Sequence, residues 1–494
     1  MMRIGKIISI KESPNCEKFF FVAEKPDGIK KGRFVQIRTE EGLIIGRISN
    51  LIKTNRYLMN AEAVRSFGEN LFNQFPIDRW EYLVAEVTPL GLFSNGEQKR
   101  VTFPPSPGQE VEDIDKDIIK SFFGFDENGL EIGEMETHKI KVKLNMSRLF
   151  QKHLAILAVS GAGKSHLAST LIEELLKKPI SPSIVVIDPH GEYKSFSEDG
   201  EFYLKTKVFG KEQISINVSS LSSLNFSEFL PQMSSVQRRE LEKIIQKLKE
   251  IKKKYDMNEL IQAIELSEIN YKTKSALISW LSTLHSTGLF SDLEKPTIEE
   301  LAKVNQLSVI DLSEFIRLKD KQILVTHILR NLFDARRQGR IPPVILFIEE
   351  AHQFVPESKE KEFAISRGII ETIAREGRKF NFSLVLISQR PIKLSATALS
   401  QCNTFILLRI VNPYDIRHIM ESCEAMTSDI ANSLPGLKVG EAFITGEAIN
   451  YPLLVKVRKR KTKENVELGL KVEEALKKFV EDSKKLKEDI EAFK

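Results

Sequence analysis

Six residues, Ser160-Gly161-Ala162-Gly163-Lys164-Ser165, stand where an apolar run, Leu154-Ala155-Ile156-Leu157-Ala158-Val159, gives way to helical spacing at Leu167, Leu171, Ile172 and Leu175. A buried strand that turns through glycines into a helix N-terminus is the context of a P-loop. The glycines let successive backbone N–H groups curl around a phosphate, and the helix adds the positive end of its dipole. Lys164 is placed to reach the β- and γ-phosphates and Ser165 to hold Mg2+. His166, next on the same turn, is counted with the nucleotide-binding set. The strict pattern asks for glycine where Ala158 stands, but that residue closes the strand rather than meeting phosphate. The chain is therefore expected to bind a nucleoside triphosphate.

At 494 residues the chain exceeds one core, so two or three domains are expected. A hydrophobic content of 41% beside 29% charged residues describes a globular protein. No stretch approaches the length of an apolar membrane span, and Met1-Met2-Arg3-Ile4-Gly5-Lys6 lacks the apolar segment of a signal peptide. A cytoplasmic protein with no membrane partner is expected. Cys16, Cys402 and Cys423 lie far apart and show no metal-ligand spacing. The net charge of +5 is modest, so bulk charge does not announce nucleic-acid binding. Residues 456–494 hold 13 Lys/Arg against 9 Asp/Glu, and the run Lys456-Val457-Arg458-Lys459-Arg460-Lys461 is either a phosphate-facing patch or a solvated strand end.

Residues 1–133 read as a small β-barrel, with short strand-like segments at 19–23, 34–38, 42–48 and 82–88 and a polar or helical excursion near 55–68. A Pro-rich stretch, Phe103-Pro104-Pro105-Ser106-Pro107-Gly108, precedes a short helix around 115–123. From there the pattern becomes α/β, with buried strands at 153–159, 183–187, 344–348, 383–387, 404–410 and 441–445. The first part of this core spans 134–223 and the second 336–458. Between them, 224–335 reads as a helical insert at the edge of the core, and 459–494 as a tail with an amphipathic helix over 466–493.

Three further constellations carry chemistry. The strand Val344-Ile345-Leu346-Phe347-Ile348 ends in Glu349-Glu350. A P-loop ATPase needs one acid there to orient Mg2+ through water, assigned to Glu349, and one to polarise the attacking water, assigned to Glu350. Asp188-Pro189-His190-Gly191-Glu192-Tyr193 follows the second strand and would face the same crevice, so Asp188 or Glu192 could support water or metal; a purely geometric turn is the alternative. Third, Ala374-Arg375-Glu376-Gly377-Arg378-Lys379 closes a helix, and the next strand ends in Ser388-Gln389-Arg390-Pro391. Gln389 sits where a sensor for the γ-phosphate is expected. Arg375 and Arg378 are placed to reach out of the subunit, as an arginine supplied to a neighbour does; a solvated helix end is the alternative.

Taken together, the Ala-Val-Ser-Gly-Ala-Gly-Lys-Ser loop, Asp-Pro-His-Gly-Glu-Tyr, Phe-Ile-Glu-Glu-Ala-His, Arg-Glu-Gly-Arg-Lys-Phe and Ile-Ser-Gln-Arg-Pro resemble the HerA branch of the HerA/FtsK ATPases across almost the whole chain. The leading barrel is similar to the one this family shares with rotary ATP synthases, a HAS-barrel. The resemblance implies a RecA-like P-loop ATPase core, ATP and Mg2+ as cofactors, and a homohexameric ring that moves on double-stranded DNA with a NurA-like nuclease in end resection. By position it makes Lys164, Ser165, Glu350, Gln389 and Arg375 the catalytic set, with Arg375 acting in the adjacent subunit and Arg378 as its substitute. A rotary-type ATPase subunit and a nucleotide-dependent scaffold for a nuclease are the competing readings. Paired acids at Glu349 and Glu350 oppose the first, and the intact Lys164, Ser165 and Glu350 oppose the second.

Overall fold

Runs such as Leu154-Ala155-Ile156-Leu157 lack the alternation of a half-exposed strand, so they require cover on both faces. The computed structural model supplies it. It describes residues 2–9, 13–24, 28–55, 81–94, 97–198, 200–357 and 364–463, with positions 473, 476, 477 and 480 of the tail. Two compact units result: residues 1–129, 133–143 and 449–451 form one, and 130–132, 144–448 and 452–494 the other.

In the first unit, β1 (Arg3–Ile8), β2 (Phe19–Ala23), β3 (Phe34–Thr39), β4 (Gly42–Asn55), β5 (Glu81–Ser94), β6 (Glu97–Lys99) and β7 (Glu110–Asp113) pair in the order β2-β1-β7-β3-β4-β5-β6. A further pairing of β2 with β5, Phe19 opposite Val87 and Phe21 opposite Ala85, closes six of them into a barrel. Its interior takes every second side chain, Phe19, Phe21, Val35, Ile37, Ala85 and Val87 among them. Gly5 is required where β1 passes β2, because a Cβ there would lie 2.2 Å from the Val22 carbonyl oxygen. The excursion expected over 55–68 falls almost wholly outside the described residues.

The chain continues through β8 (Leu130–Met135) and β9 (Ile140–Leu144). The core strands follow: β10 (His153–Leu157), β11 (Ser183–Asp188), β12 (Thr206–Phe209), a short pair β13 (Ile216–Asn217) and β14 (Phe290–Ser291), β15 (Leu307–Asp311), β16 (Val344–Ile348), β17 (Phe382–Ser388), β18 (Cys402–Leu407), β19 (Glu441–Gly446) and β20 (Leu453–Val457). The core sheet runs β12-β15-β11-β16-β17-β10-β18-β19-β20, parallel from β12 to β18 and antiparallel thereafter. Register aligns the carboxyl ends: Leu157 lies opposite Ser388, Ile187 opposite Ile348, and Asp188 opposite Asp311. This is the α/β P-loop core with a preceding barrel that the sequence predicts.

The stretch 224–335 departs from the expected helical insert. It does hold the helices Ser235–Ile251, Met257–Glu265 and Tyr271–His285, but it also contributes β15, which pairs with β11, and the helix Leu318–Arg337, whose Ile323, Leu324, Val325 and Leu329 enter the main core. A five-residue apolar run flanked by polar sequence carries too little periodicity to be read as a strand. The helix expected over 466–493 lies outside the described residues apart from those four tail positions.

His153, the first residue of β10, ties the sheet to the helix Arg367–Glu376. Its Nε2 meets the Ala374 carbonyl at 2.8 Å, and its Nδ1 accepts from the Leu384 N–H at 2.9 Å. Burial pushes its pKa down from 6.5 to about 4, against the opposing pull of that carbonyl. The unfolded chain therefore takes up this proton first as pH falls, and stability declines between the two values. The expected loss is ~3 kcal/mol from neutral pH to below pH 4. His153→Gln should flatten that limb of the stability profile in denaturant titrations; an unchanged limb would show that His153 is protonated in the fold.

Candidate nucleotide site

β10 delivers the chain to the P-loop in three steps. Ala158 N–H donates to the Ser388 carbonyl at 3.2 Å and Val159 N–H to the Arg409 carbonyl at 2.9 Å, which hold the strand end between β17 and β18. The loop then turns through Gly161 (φ +74) and Gly163 (φ +104), conformations that L side chains rarely adopt. No atom lies within 4 Å of a Cβ built at Gly161, so the loop is open on that side. The helix Lys164–Leu176 begins without a side-chain cap, which leaves its first N–H groups for a ligand.

Lys164 is buried to 7% exposure, yet its ammonium makes no hydrogen bond or ion pair among the described residues. A buried cation at a helix N-terminus is suited to an anion, which would supply the charge partner that burial demands. Two carboxylates stand nearby. Glu349 is fully buried and accepts from the Tyr193 hydroxyl at 2.7 Å through Oε2. Burial and the charge of Glu192 push its pKa up to about 8, opposed by Tyr193 and Lys164. Glu350 sits in the left-handed region (φ 48°), an unusual conformation for a non-glycine residue and one that aims its side chain off the strand axis. Burial raises its pKa as well, with Lys164, His190 and the Gln389 backbone N–H opposing. His352 Nδ1 is 3.2 Å from Glu350 Oε2 but also 3.2 Å from Ser388 Oγ, and Oε2 has no hydrogen-bond partner of suitable geometry. Glu350 thus keeps an acceptor without a hydrogen bond of suitable geometry, within reach of the Lys164 charge.

Among the residues singled out by sequence, the fold brings Lys164, Ser165, Glu192, Glu349, Glu350 and Gln389 to the carboxyl edge of the sheet. Asp188 takes another part: its carboxylate accepts from the backbone N–H groups of His190, Gly191 and Tyr193 at 3.2, 2.8 and 2.9 Å. It builds the turn rather than supporting metal or water, and burial raises its pKa to about 6 despite those donors. His166 also departs from expectation, because its Nε2 lies 2.9 Å from the Arg458 carbonyl, facing the end of β20 and not the phosphate loop. The basic run 456–461 is neither a phosphate patch nor a solvated end at its arginines: Arg458 reaches Glu173 and Glu174, and Arg460 reaches Thr462 and Ser195.

Arg375 and Arg378 are exposed and make no side-chain bond among the described residues. They flank the turn into β17, at the edge where β10 begins, a strand length of about 16 Å from the P-loop edge. The sequence gives Tyr193 no role of its own, and only the fold reveals it as the strut that holds Glu349. Arg390 and Arg409, also unassigned by sequence, follow β17 and β18 at the P-loop edge with exposed side chains. After β16 the chain passes close to the end of β17, Glu357 N–H donating to the Lys393 carbonyl at 2.9 Å, while 358–363 lie outside the described residues.

The residues present fit Mg2+ as a guest of bound phosphate. No cluster of three or more His, Cys, Asp or Glu side chains suited to a metal occurs among the described residues, so a metal held there would need few protein ligands; Ser165 and, through water, Glu349 are the side chains at that edge that could serve. Mg2+ is commonly held this way, by few protein ligands together with substrate phosphates.

A family model described as the central domain of helicase HerA matches residues 130–332, from β8 through the P-loop to the helix Leu318–Arg337. Aligned over nearly their whole lengths, a probable helicase of Methanocaldococcus jannaschii is 29% identical (91% of this chain, 90% of the relative) and the DNA double-strand break repair helicase HerA of Pyrococcus furiosus 28% identical (86% and 87%). Residues 130–332 thus match a HerA central domain, and the likeness to archaeal HerA helicases runs over most of the chain. With its P-loop intact, it is an ATP-dependent enzyme of the helicase class. Among solved structures, VirB4 of Thermoanaerobacter pseudethanolicus superposes on 68% of this chain and 98% of its own with a TM-score of 0.54 at 16% identity, a likeness of fold. No helix among the described residues is long and apolar enough to cross a membrane.

Proposed function

We propose that this HerA-like chain is an ATP-driven translocase and helicase on double-stranded DNA, assembled as a homohexameric ring and working in the cytoplasm with a NurA-like nuclease in end resection. The observation that carries the reading is the buried Lys164, which makes no hydrogen bond or ion pair among the described residues, near enough to Glu350 for their charges to interact. The relatives named as DNA double-strand break repair helicases, aligned along most of their length, supply the substrate class. Lys164 and the loop N–H groups hold the phosphate chain of ATP, and Ser165 with Glu349 through water holds Mg2+. Bound Mg2+ offsets phosphate charge and polarises the γ-phosphoryl group. Glu350 takes the proton of the attacking water, and Gln389 orients water and phosphate from the end of β17. Arg375, remote from its own P-loop, completes the neighbour's site in the ring, with Arg378 as the alternative. The barrel, which has no chemistry of its own, docks the nuclease.

Turnover should rise severalfold on adding linear duplex DNA. Duplex affinity should fall steeply with salt and vary little with sequence, because a channel without base readout depends on phosphate contacts and counterion release. ATPase assays with and without DNA, beside binding titrations at several salt concentrations, test this. Turnover indifferent to DNA, or strong preference for one sequence at constant salt, would refute translocation.

A further inference from the structure

The helix Lys164–Leu176 has no cap at its N-terminus, so whatever fixes its rotation and axial position lies further along it. Its apolar face, Leu167, Leu171, Ile172 and Leu175, is fully buried, but apolar packing is weakly directional. Directional contacts come from the far end of the chain. Arg458 Nη1 lies 2.9 Å from Glu173 Oε2, off the hydrogen-bond axis and therefore an ion pair, and Nη2 donates to Glu174 Oε1 at 3.0 Å. Its Nε donates to the Glu131 carbonyl at 3.0 Å, and its own carbonyl meets His166 Nε2, directly after Ser165. Lys461 N–H, Thr462 N–H and the Thr462 hydroxyl converge on Glu173 Oε1 at 2.7, 2.8 and 2.9 Å. Glu173 has no solvent exposure, so its charge is tolerable only with these partners.

We propose that Arg458 is a positioning residue for the P-loop: gripping the helix at Glu173, Glu174 and His166, it sets where the first-turn N–H groups, Lys164 and Ser165 stand when phosphate arrives. The proposal rests on the P-loop being the nucleotide site. A planar guanidinium bonded on several edges fixes orientation in a way that a lysine ammonium does not. Without it the buried Glu173 is left under-paired, the helix shifts, and the anion nest loosens.

The test uses the full chain with Arg458→Met and Arg458→Lys and measures the Kd of a fluorescent, non-hydrolysable ATP analogue with Mg2+, well below the melting temperature. Arg458→Met should raise Kd and KM about tenfold, the scale of losing a supporting partner behind a binding group, with kcat little changed. Arg458→Lys should recover part of that loss. A lowered melting temperature with wild-type Kd and KM would make Arg458 an ordinary structural pair and overturn the proposal. Should Arg458→Met not fold, Thr462→Val, which removes one donor to Glu173, carries the same readout, and a wild-type Kd there also overturns it. Lys164→Ala separates the two levels. If that variant binds the analogue as tightly as wild type, the nucleotide site itself is misassigned; if it binds weakly while Arg458→Met binds normally, only the positioning role fails.

Discussion

Lys164→Ala abolishes ATP hydrolysis while Glu350→Gln leaves nucleotide bound and unhydrolysed: this pair of outcomes is expected because the two side chains serve the site in different ways. Lys164 is the buried cation at the helix N-terminus, so its removal strips the phosphates of their main countercharge. A loss on the order of 10²–10³-fold or more in turnover, with weakened binding, matches the removal of a preorganised charge partner. Glu350 Oε2 accepts no hydrogen bond of suitable geometry, and burial already disfavours its charge. Gln keeps the volume, tolerates the same backbone conformation as Glu and removes the base, which costs roughly 10²–10⁴-fold in rate. Because the folded state raises the Glu350 pKa, its ionised form at neutral pH opposes folding, and the nucleotide-free Glu350→Gln protein should melt at a higher temperature than wild type. Steady-state ATPase, nucleotide binding and melting curves on the two variants check all three statements. Wild-type hydrolysis by Glu350→Gln would remove Glu350 as the base.

Two inactive proteins should give an active mixture when Arg375→Ala subunits are combined with Lys164→Ala subunits. The first has a normal P-loop but offers its neighbour no arginine; the second has the arginine but no working P-loop. At an interface that pairs the intact half of each, hydrolysis should reappear, because an arginine finger is worth on the order of 10³–10⁵-fold in turnover. The location of Arg375 at the edge of the sheet opposite its own P-loop, exposed and unbonded, is what this role requires. Full activity of Arg375→Ala alone would transfer the role to Arg378, which shares the turn. Sizing each variant before mixing separates a lost finger from a lost ring.

The candidate site was legible where chemistry and chain direction are local. A strand running into Gly161, Gly163 and Lys164 can place those residues in one way only, and a buried strand ending in Glu349-Glu350 must present acids at the same edge once the strands are parallel. The roles of Asp188 and His166 were not legible, because a carboxylate and an imidazole next to a phosphate loop have the right chemistry for a ligand and equally for a turn or a clamp. Which one they serve depends on the donors that fold against them: three backbone N–H groups for Asp188, and the end of β20 for His166.

Residue order alone determined the P-loop, the paired acids and the alternation of a small barrel with an α/β core, since periodicity, glycine placement and helix-start chemistry act over a few neighbours. Tertiary structure alone decided that Leu307–Asp311 joins the main sheet, that Tyr193 braces Glu349, that Arg375 stands a strand length from its own site, and that Arg458 grips the P-loop helix from almost 300 residues away in sequence. Each of these depends on partners far along the chain, and no pattern of neighbours records which distant donor will meet a buried carboxylate.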